Sequence, residues 1–267
     1  MTKTNERDVY EEAKVSISTG EIEEWDSAIF PSIIRKKLIA LIKANLHVAN
    51  PRMILDYGCG GGWLSKLLSE WGFNVVGVDI SVHLLKNAKS VCPKASYIVA
   101  DAEKLPFRDA VFDYLVGISV LHHLNLQRSC SELRRISTDK ADFAFEEPNL
   151  LNPFSEIGRK FFPLETCTKG ERPFVPSYFE KALNGYGFCC RKIFYLYFIA
   201  FPLARLFKIA NKVPPSFMIN MLLIFENLMS DVPYIRRLNA SIFVVGEINQ
   251  SLDYTYFDVK KCLESDT

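Results

Sequence analysis

Residues 53–62 read Met-Ile-Leu-Asp-Tyr-Gly-Cys-Gly-Gly-Gly, an apolar run that leads into a glycine-rich turn. The pattern predicts a buried parallel strand over residues 53–55, with Asp56 at its end. Residues 63–68 then show helical spacing, so the segment has the order strand, turn, helix. Because glycine has no Cβ, such a turn lets backbone N–H groups approach a bound ligand closely. The glycines at alternate positions of this turn are Gly58, Gly60 and Gly62.

Asp56 and Trp63 narrow the chemistry of the ligand. Dinucleotide-binding turns require glycine or alanine at the position that Trp63 occupies. A carboxylate in front of the glycines would repel a pyrophosphate, whereas it suits a ligand that carries a positive charge or an ammonium group. An NAD-dependent enzyme is therefore disfavoured.

Two further predicted strands also end in acids. Residues 73–79 form an apolar run that ends at Asp79, which lies 23 positions after Asp56. A carboxylate at the tip of a second strand is placed to accept both ribose hydroxyls of an adenosine. Residues 96–101 end at Asp101, which suits the amino group of adenine. Three consecutive strands that end in Asp predict a ligand containing adenosine.

Residues 53–148 resemble the class I S-adenosylmethionine-dependent methyltransferases, in particular the group that acts on small molecules. The resemblance implies an α/β protein with a Rossmann-like doubly wound sheet, mainly parallel with a C-terminal antiparallel strand, plus an α-helical insertion or cap. It implies S-adenosylmethionine as cofactor and S-adenosylhomocysteine as product. The matching segments are residues 56–62, 78–81, 101–107 with Leu105-Pro106-Phe107, 112–116 and 120–124.

The resemblance also implies which residues bind the cofactor. Asp56 and the glycine turn would hold its methionine part, Asp79 its ribose, and Asp101 with the backbone of Ala102 its adenine. The full cofactor-binding set implied is Asp56, Tyr57, Gly58, Cys59, Gly60, Gly62, Asp79, Ile80, Asp101, Ala102 and Ile118.

Candidate catalytic residues follow strands four and five. Methyl transfer is an in-line displacement in which alignment of the reactants contributes about 7–11 kcal/mol. A general base is needed only when the acceptor must lose a proton. His122 and His123 are candidate bases, although either could instead pack on the following helix. Ser119 is placed to contact the reacting methyl group, and Glu146 and Glu147 either face the acceptor or have a capping or solvated role.

The remaining organisation follows from periodicity. Alternating strands and helices from residue 53 to residue 147 predict a parallel sheet. Further helices are predicted over 22–46, 122–138, 177–183, 203–211 and 217–229, and strands over 111–118, 141–146, 189–199 and 241–247. The predicted domains are an N-terminal flap and helix at 1–51, the cofactor-binding core at 52–148, an acceptor-side cap with a helical insertion and the last strands at 149–250, and a tail at 251–267.

Composition limits the kind of partner. The chain has 267 residues and a formal net charge of +1, which argues against general nucleic-acid binding because that requires a basic field. The seven cysteines show neither a paired framework nor the spacing of metal ligands, so we expect no metal. The polar residues 1–15 contain no secretory signal, which favours the cytoplasm. The oligomeric state stays open.

The C-terminal half differs in composition from residues 53–148. Residues 150–235 contain 17 of the 34 aromatic residues. Between Lys181 and Phe225 there are six basic residues and no acidic residue. This run is either a core strand with solvated flanks or a cationic, aromatic surface for a lipid-like or anionic acceptor, with peripheral membrane contact.

Two functions follow from these patterns. The first is a methyltransferase that acts on a small-molecule, lipid-like or lipid-linked acceptor, and the aromatic cap favours it because a cap supplies an acceptor site. The alternative is a regulatory or assembly protein that has the same fold and binds the cofactor without catalysis.

Overall fold

The computed structural model describes residues 29–46, 53–161, 172–199, 203 and 215–251. The predicted N-terminal flap, the tail and nearly all of the predicted helix over 203–211 lie outside these residues. The described helices are α1 (Ile29–Asn45), α2 (Trp63–Glu70), α3 (Val82–Val91), α4 (Leu126–Ile136), α5 (Pro153–Phe161), α6 (Pro176–Gly185) and α7 (Ser216–Asp231), with 3-10 turns at Leu121–His123 and Ile235–Leu238. The strands are β1 (Ile54–Tyr57), β2 (Val75–Asp79), β3 (Ser96–Val99), β4 (Phe112–Ile118), β5 (Ser137–Pro148), β6 (Phe188–Leu196) and β7 (Ser241–Ile248).

The strands form one seven-stranded sheet in the order β3-β2-β1-β4-β5-β7-β6. Strand β1 pairs in parallel with β2 on one side and with β4 on the other, and β4 pairs in parallel with β5. The C-terminal strands are antiparallel. The predicted doubly wound sheet is therefore confirmed. All four residues of β1 are buried, as expected for the central strand of a sheet covered on both faces.

Several element boundaries differ from the sequence prediction. Strand β1 continues through Tyr57, so Asp56 lies within the strand and not at its end. The predicted helix over 122–138 begins only at Leu126, because the side chain of Asn125 accepts a hydrogen bond from the N–H of Arg128 at 3.0 Å and caps the helix there. Strand β5 is longer than predicted at both ends.

The described residues form two compact units that interleave along the chain. The first unit takes the described residues within 29–45, 148–173 and 194–243, and the second takes those within 46–147, 174–193 and 244–251. In the second unit, the rings of Phe143 and Phe188 meet edge to face at 5.2 Å between centroids, and both side chains are buried. This unit carries every residue of the predicted cofactor-binding set. The predicted domain boundaries remain a prediction.

Candidate cofactor and methyl-transfer site

The three glycines of the turn after β1 all have positive φ, but they differ in the space that surrounds them. A Cβ at Gly58 would lie 2.6 Å from a methyl carbon of Val120, and one at Gly62 would lie 2.7 Å from the Cβ of Ala88. Packing within the protein therefore requires these two glycines. At Gly60, where φ is +50°, a Cβ would meet no heavy atom within 4 Å. The space in front of Gly60 is thus open, which a ligand that approaches the backbone requires.

Asp79 fixes the conformation of this turn from the end of β2. Its Oδ2 accepts a hydrogen bond from the N–H of Gly60 at 3.0 Å, and its Oδ1 accepts one from the N–H of Ser81 at 2.8 Å. Burial raises the pKa of this carboxyl, while the N–H donors oppose that shift because they favour the ionised form. The side chain of Ser81 then caps α3 through the N–H of Leu84. Ile80 lies half-buried between these contacts.

Asp56 is a buried acid directly before the turn. Its Oδ2 accepts a hydrogen bond from the Ser65 hydroxyl of α2 at 2.6 Å. Burial raises the pKa of Asp56 to about 7, and the nearby Asp79 adds to the shift. An adjacent cation would favour the ionised carboxylate. The predicted contact between Asp56 and an ammonium group remains a prediction, and its observed contact is the one to Ser65.

The residues predicted to bind adenine lie in the loop after β3, not at the end of that strand. β3 ends at Val99, and the Oδ1 of Asp101 accepts a hydrogen bond from the N–H of Glu103 at 2.9 Å. The buried hydroxyl of Tyr57 donates a hydrogen bond to the carbonyl of Ala102 at 2.8 Å. Tyr57 therefore positions the loop that carries Asp101. The neighbouring Cys59 is also buried, within the glycine turn.

Glu147 holds the turn that follows β4. Its Oε1 accepts hydrogen bonds from the N–H groups of Val120 at 3.1 Å and Leu121 at 2.7 Å. Its Oε2 accepts from the N–H of His122 at 3.2 Å and lies 2.7 Å from the Nδ1 of the same residue. The carboxylate is fully buried. The sequence left three roles open for Glu147, which were facing the acceptor, capping a helix or lying in solvent. The structure shows that Glu147 holds the backbone of this turn, and this contact depends on the pairing of β4 with β5.

The rings of the two histidines contact each other at an interplanar angle of 39°. The ring centroids of His122 and His123 are 3.9 Å apart. Burial lowers the pKa of His123 to about 3, and the neighbouring His122 contributes to the shift. The imidazole of His123 is therefore neutral at neutral pH and is a weak base. His122 is buried with its Nδ1 directed at Glu147.

Ser119 and Glu146 form a pair at the ends of β4 and β5. Ser119 is exposed and has a φ of +55°, which is rare for a residue with a side chain. Its hydroxyl donates a hydrogen bond to the Oε2 of Glu146 at 2.9 Å, and its N–H donates to the carbonyl of Glu146 at 2.6 Å. Burial, and next the charge of Glu147, together raise the pKa of Glu146 to about 7. Ile118, the residue before Ser119, is half-buried at the end of β4.

Parallel pairing brings these groups to one edge of the sheet. Asp56 of β1 pairs with Val116 of β4, and Ile118 of β4 pairs with Glu146 of β5. The glycine turn and Ser119 therefore follow the carboxyl ends of β1 and β4, and Glu146 lies beside Ser119 in the last residues of β5. In open α/β sheets this edge is where ligands bind.

Two further findings concern the described part of the chain only. It contains no group of three or more His, Cys, Asp or Glu residues that could hold a metal ion. None of its helices is long and apolar enough to cross a bilayer.

Comparison with known proteins agrees with this geometry. Residues 55–145 match the model of a family described as a methyltransferase domain. An uncharacterized protein of Methanocaldococcus jannaschii is 32% identical over 128 residues, which cover 44% of this chain and 55% of that protein. A malonyl-[acyl-carrier protein] O-methyltransferase of Pseudescherichia vulneris is 35% identical over 80 residues, which cover 30% of this chain and 32% of that enzyme. The chain thus spans about half the length, or less, of these curated relatives.

Solved structures share the fold at low sequence identity. A chain from the complex between the Haloferax volcanii Trm112 methyltransferase activator and a methyltransferase has a TM-score of 0.62 and 14% identity, covering 92% of this chain and 99% of that chain. A S-adenosylmethionine-dependent methyltransferase from Archaeoglobus fulgidus has a TM-score of 0.54 and 19% identity, covering 81% of this chain and 93% of that chain. At sequence identities this low, the structural similarity shows the fold alone.

Proposed function

We propose that this chain is a class I S-adenosylmethionine-dependent methyltransferase, a proposal supported by its methyltransferase domain at residues 55–145, and that it moves a methyl group to an acceptor. The cofactor of this family is S-adenosylmethionine, and its product is S-adenosylhomocysteine. The observation that carries the proposal is the open space in front of Gly60, whose N–H is held by the carboxylate of Asp79. A turn of this kind admits a ligand against the backbone beside an acid that suits ribose hydroxyls.

For the individual residues we propose the roles that the family resemblance implies. The cofactor supplies a methyl group bound to a positively charged sulfur, which is an intrinsically good leaving group. Asp79 would accept the ribose hydroxyls, Asp101 and the Ala102 backbone would contact the adenine, and Asp56 would favour the ammonium group of the methionine part. The protein mainly has to align the acceptor with the methyl group, and such alignment contributes about 7–11 kcal/mol.

Calorimetric titration of the full chain with S-adenosylmethionine and S-adenosylhomocysteine tests binding. We expect dissociation constants in the micromolar range. Incubation with methyl-labelled cofactor and a total lipid extract, followed by mass spectrometry of S-adenosylhomocysteine, tests transfer. Binding without formation of S-adenosylhomocysteine would favour a regulatory or assembly protein that binds the cofactor, and absence of binding would refute the proposal.

For the acceptor, we infer an amphiphile with an anionic head group, presented at a lipid surface. Helix α7 supports this inference because it exposes large apolar side chains at helical spacing. Phe217, Met221, Ile224 and Leu228 have 69, 64, 58 and 59% of their surface exposed. In the heptad spacing of these positions, the four side chains share one face of the helix.

Helix α5, in the same unit, has a similar face. Phe154, Ile157 and Phe161 are exposed at intervals of three and four residues. The ring of Phe198 lies 5.6 Å from that of Phe154 and 6.3 Å from that of Phe225 on α7, measured between centroids. The two helices therefore contact the same aromatic side chain, Phe198. The exposed apolar side chains of α5 and α7 thus lie in the same region of the first unit.

The charge of the first unit complements an anionic surface. Its described residues include nine basic and three acidic residues, whereas those of the second unit include thirteen basic and fourteen acidic residues. Each basic residue near an anionic bilayer contributes about 1 kcal/mol to binding. The described basic residues of the 181–225 run are not part of this charge, because Lys181, Arg191 and Lys192 belong to the second unit, where Arg191 pairs with Asp142 and lies 3.9 Å from Glu247. Arg205, Lys208 and Lys212 lie outside the described residues.

Vesicle sedimentation tests the lipid surface. We expect the protein to sediment with vesicles of phosphatidylcholine and phosphatidylglycerol at low salt, and much less with phosphatidylcholine alone. Replacing Met221 and Ile224 by Ser should weaken sedimentation, while replacing Val91 and Val99 by Ser, which are exposed in the second unit, should not. Equal and negligible binding to both vesicles would leave a soluble metabolite as the acceptor.

A further inference from the structure

The ends of β4 and β5 hold a buried carboxylate behind an exposed hydroxyl. Glu146 is buried, and Ser119, which is exposed, donates its hydroxyl hydrogen bond to the Oε2 of Glu146 at 2.9 Å. A second hydrogen bond, from the N–H of Ser119 to the carbonyl of Glu146 at 2.6 Å, fixes the backbone of one residue against the other. The contact is therefore held at two points.

The backbone at Ser119 is strained in a way that serves this contact. A φ of +55° is unfavourable for a residue other than glycine. Glycine would remove that cost but would also remove the hydroxyl. Strain of this kind is concentrated at active sites, where the surrounding structure holds a side chain in place. The observation points to a role for the hydroxyl itself.

From this geometry we propose that Ser119 and Glu146 form a proton-accepting site, with Ser119 as the catalytic residue and Glu146 as the positioning residue that receives the proton. The inference rests on the proposed methyl transfer and deepens it, because it assigns the acceptor to the class that must lose a proton. A phenol or an alcohol belongs to this class, and a carboxylate or a tertiary amine does not.

The proposed step needs no oxidant, reductant or further reactant. The acceptor oxygen forms a bond to the methyl carbon, and the carbon–sulfur bond breaks with its electron pair remaining on sulfur. The proton of the acceptor hydroxyl passes to the Oγ of Ser119, and the hydroxyl proton of Ser119 passes to the Oε2 of Glu146. The carboxylate ends as a neutral acid, and a later exchange with water restores it.

The groups around Glu146 agree with this task. Burial, and next the charge of Glu147, raise the pKa of Glu146 to about 7, whereas the hydrogen bond from Ser119 and the nearby His122 oppose the shift. A base whose pKa lies near the working pH is the most effective in proton transfer. His123, with a pKa lowered to about 3, is less suited to the role.

An NMR titration of the full chain with carboxyl-labelled glutamate tests the proton affinity of the pair without any acceptor. We expect the signal that disappears in Glu146→Gln to titrate near neutral pH, and the titration to move to higher pH in Ser119→Ala, which lacks the hydroxyl donor. Titration of Glu146 near pH 4, the ordinary range of about 4.3 for a glutamate, would overturn the proposal.

Transfer rates provide the second arm, with two probe acceptors. 4-Nonylphenol must lose a proton, whereas dodecanoate is already ionised. We expect the rate with 4-nonylphenol to rise with pH through neutrality and to fall by about 100-fold in Glu146→Gln, with the rise lost. Asp142→Asn removes another buried acid of the same strand, one that pairs with Arg191, and should keep the rise.

The outcomes separate the two proposals. A normal pH profile in Glu146→Gln, with intact transfer to 4-nonylphenol, would overturn the pair while leaving the methyltransferase assignment standing. Failure of the wild-type chain to bind S-adenosylmethionine would refute the proposed function instead. Calorimetry should show that Ser119→Ala and Glu146→Gln bind the cofactor within about 3-fold of the wild-type affinity, since neither residue belongs to the predicted cofactor-binding set.

Discussion

Replacement of Asp79 by alanine tests the cofactor site most directly. The carboxylate holds two N–H groups, those of Gly60 and Ser81, at 3.0 and 2.8 Å. Hydrogen bonds to charged groups contribute about 1.5–3 kcal/mol each. The variant should therefore be less stable, and the glycine turn should lose the contact that fixes its conformation.

The loss of cofactor affinity follows from the same carboxylate. Removing the partner of two ribose hydroxyls should cost about 2–3 kcal/mol, which corresponds to a dissociation constant about 30- to 150-fold higher. Asn should not restore affinity, because its amide group would direct an N–H donor at one of the two backbone N–H groups. Calorimetry with S-adenosylmethionine measures the affinity, and urea denaturation measures the stability.

Asp113→Ala is the matched control. Asp113 also accepts two hydrogen bonds, from the N–H of Met53 at 3.1 Å and from the hydroxyl of Thr138 at 3.3 Å, but it lies at the opposite edge of the sheet. This variant should lose stability and keep its cofactor affinity within about 2-fold, because its contacts are distant from the glycine turn. Unchanged affinity in Asp79→Ala, or an equal loss in Asp113→Ala, would refute the reasoning.

Three further predictions concern other residues. Gly60→Val should abolish cofactor binding while the sheet still folds. The control is Gly72→Val, at a position that also has a positive φ and no neighbour within 4 Å, and it should lose stability only. Calorimetry measures cofactor binding, and circular dichroism measures folding. Glu226→Ala should lower the free energy of unfolding by about 2–4 kcal/mol, because the buried carboxylate accepts hydrogen bonds from two backbone N–H groups at 2.6 and 2.7 Å; chemical denaturation measures the loss, and an unchanged midpoint would contradict it. The pKa of Asp56 is raised to about 7, so this group binds more protons in the folded than in the unfolded state, and the stability of the apo protein should fall as pH rises from about 4 to about 7. Denaturation at a series of pH values should show a smaller fall in Asp56→Asn. An identical fall in the variant would contradict the assignment.

Local sequence predicted the elements that build the cofactor side of the molecule. The run from residue 53 to residue 68 specified a strand, a tight turn and a helix, because apolar periodicity and glycine act over a few residues. The parallel pairing of β1, β2 and β4 follows from alternating strands and helices. The prediction was wrong for the start of α4, where the cap at Asn125 delays the helix, and for the position of Asp56, which lies inside β1.

The role of each residue depended on neighbours that are distant in the chain. Gly58 and Gly62 are required by Val120 and Ala88, whereas Gly60 has open space, and the three are indistinguishable in the sequence. Tertiary packing alone decides which glycine can admit a ligand.

By itself, then, the sequence determined the fold class, the glycine turn and the acid at the end of β2, because these depend on short-range periodicity and backbone freedom. Only the tertiary structure decided the roles of Glu146 and Glu147, the two acids near the end of β5. The register that aligns Ile118 with Glu146 places one carboxylate behind the hydroxyl of Ser119 and leaves Glu147 to hold the next turn. The hydrogen bonds that decide these two roles join residues 25 to 27 positions apart in the chain, and the burial of Glu146 raises the pKa of its carboxyl group.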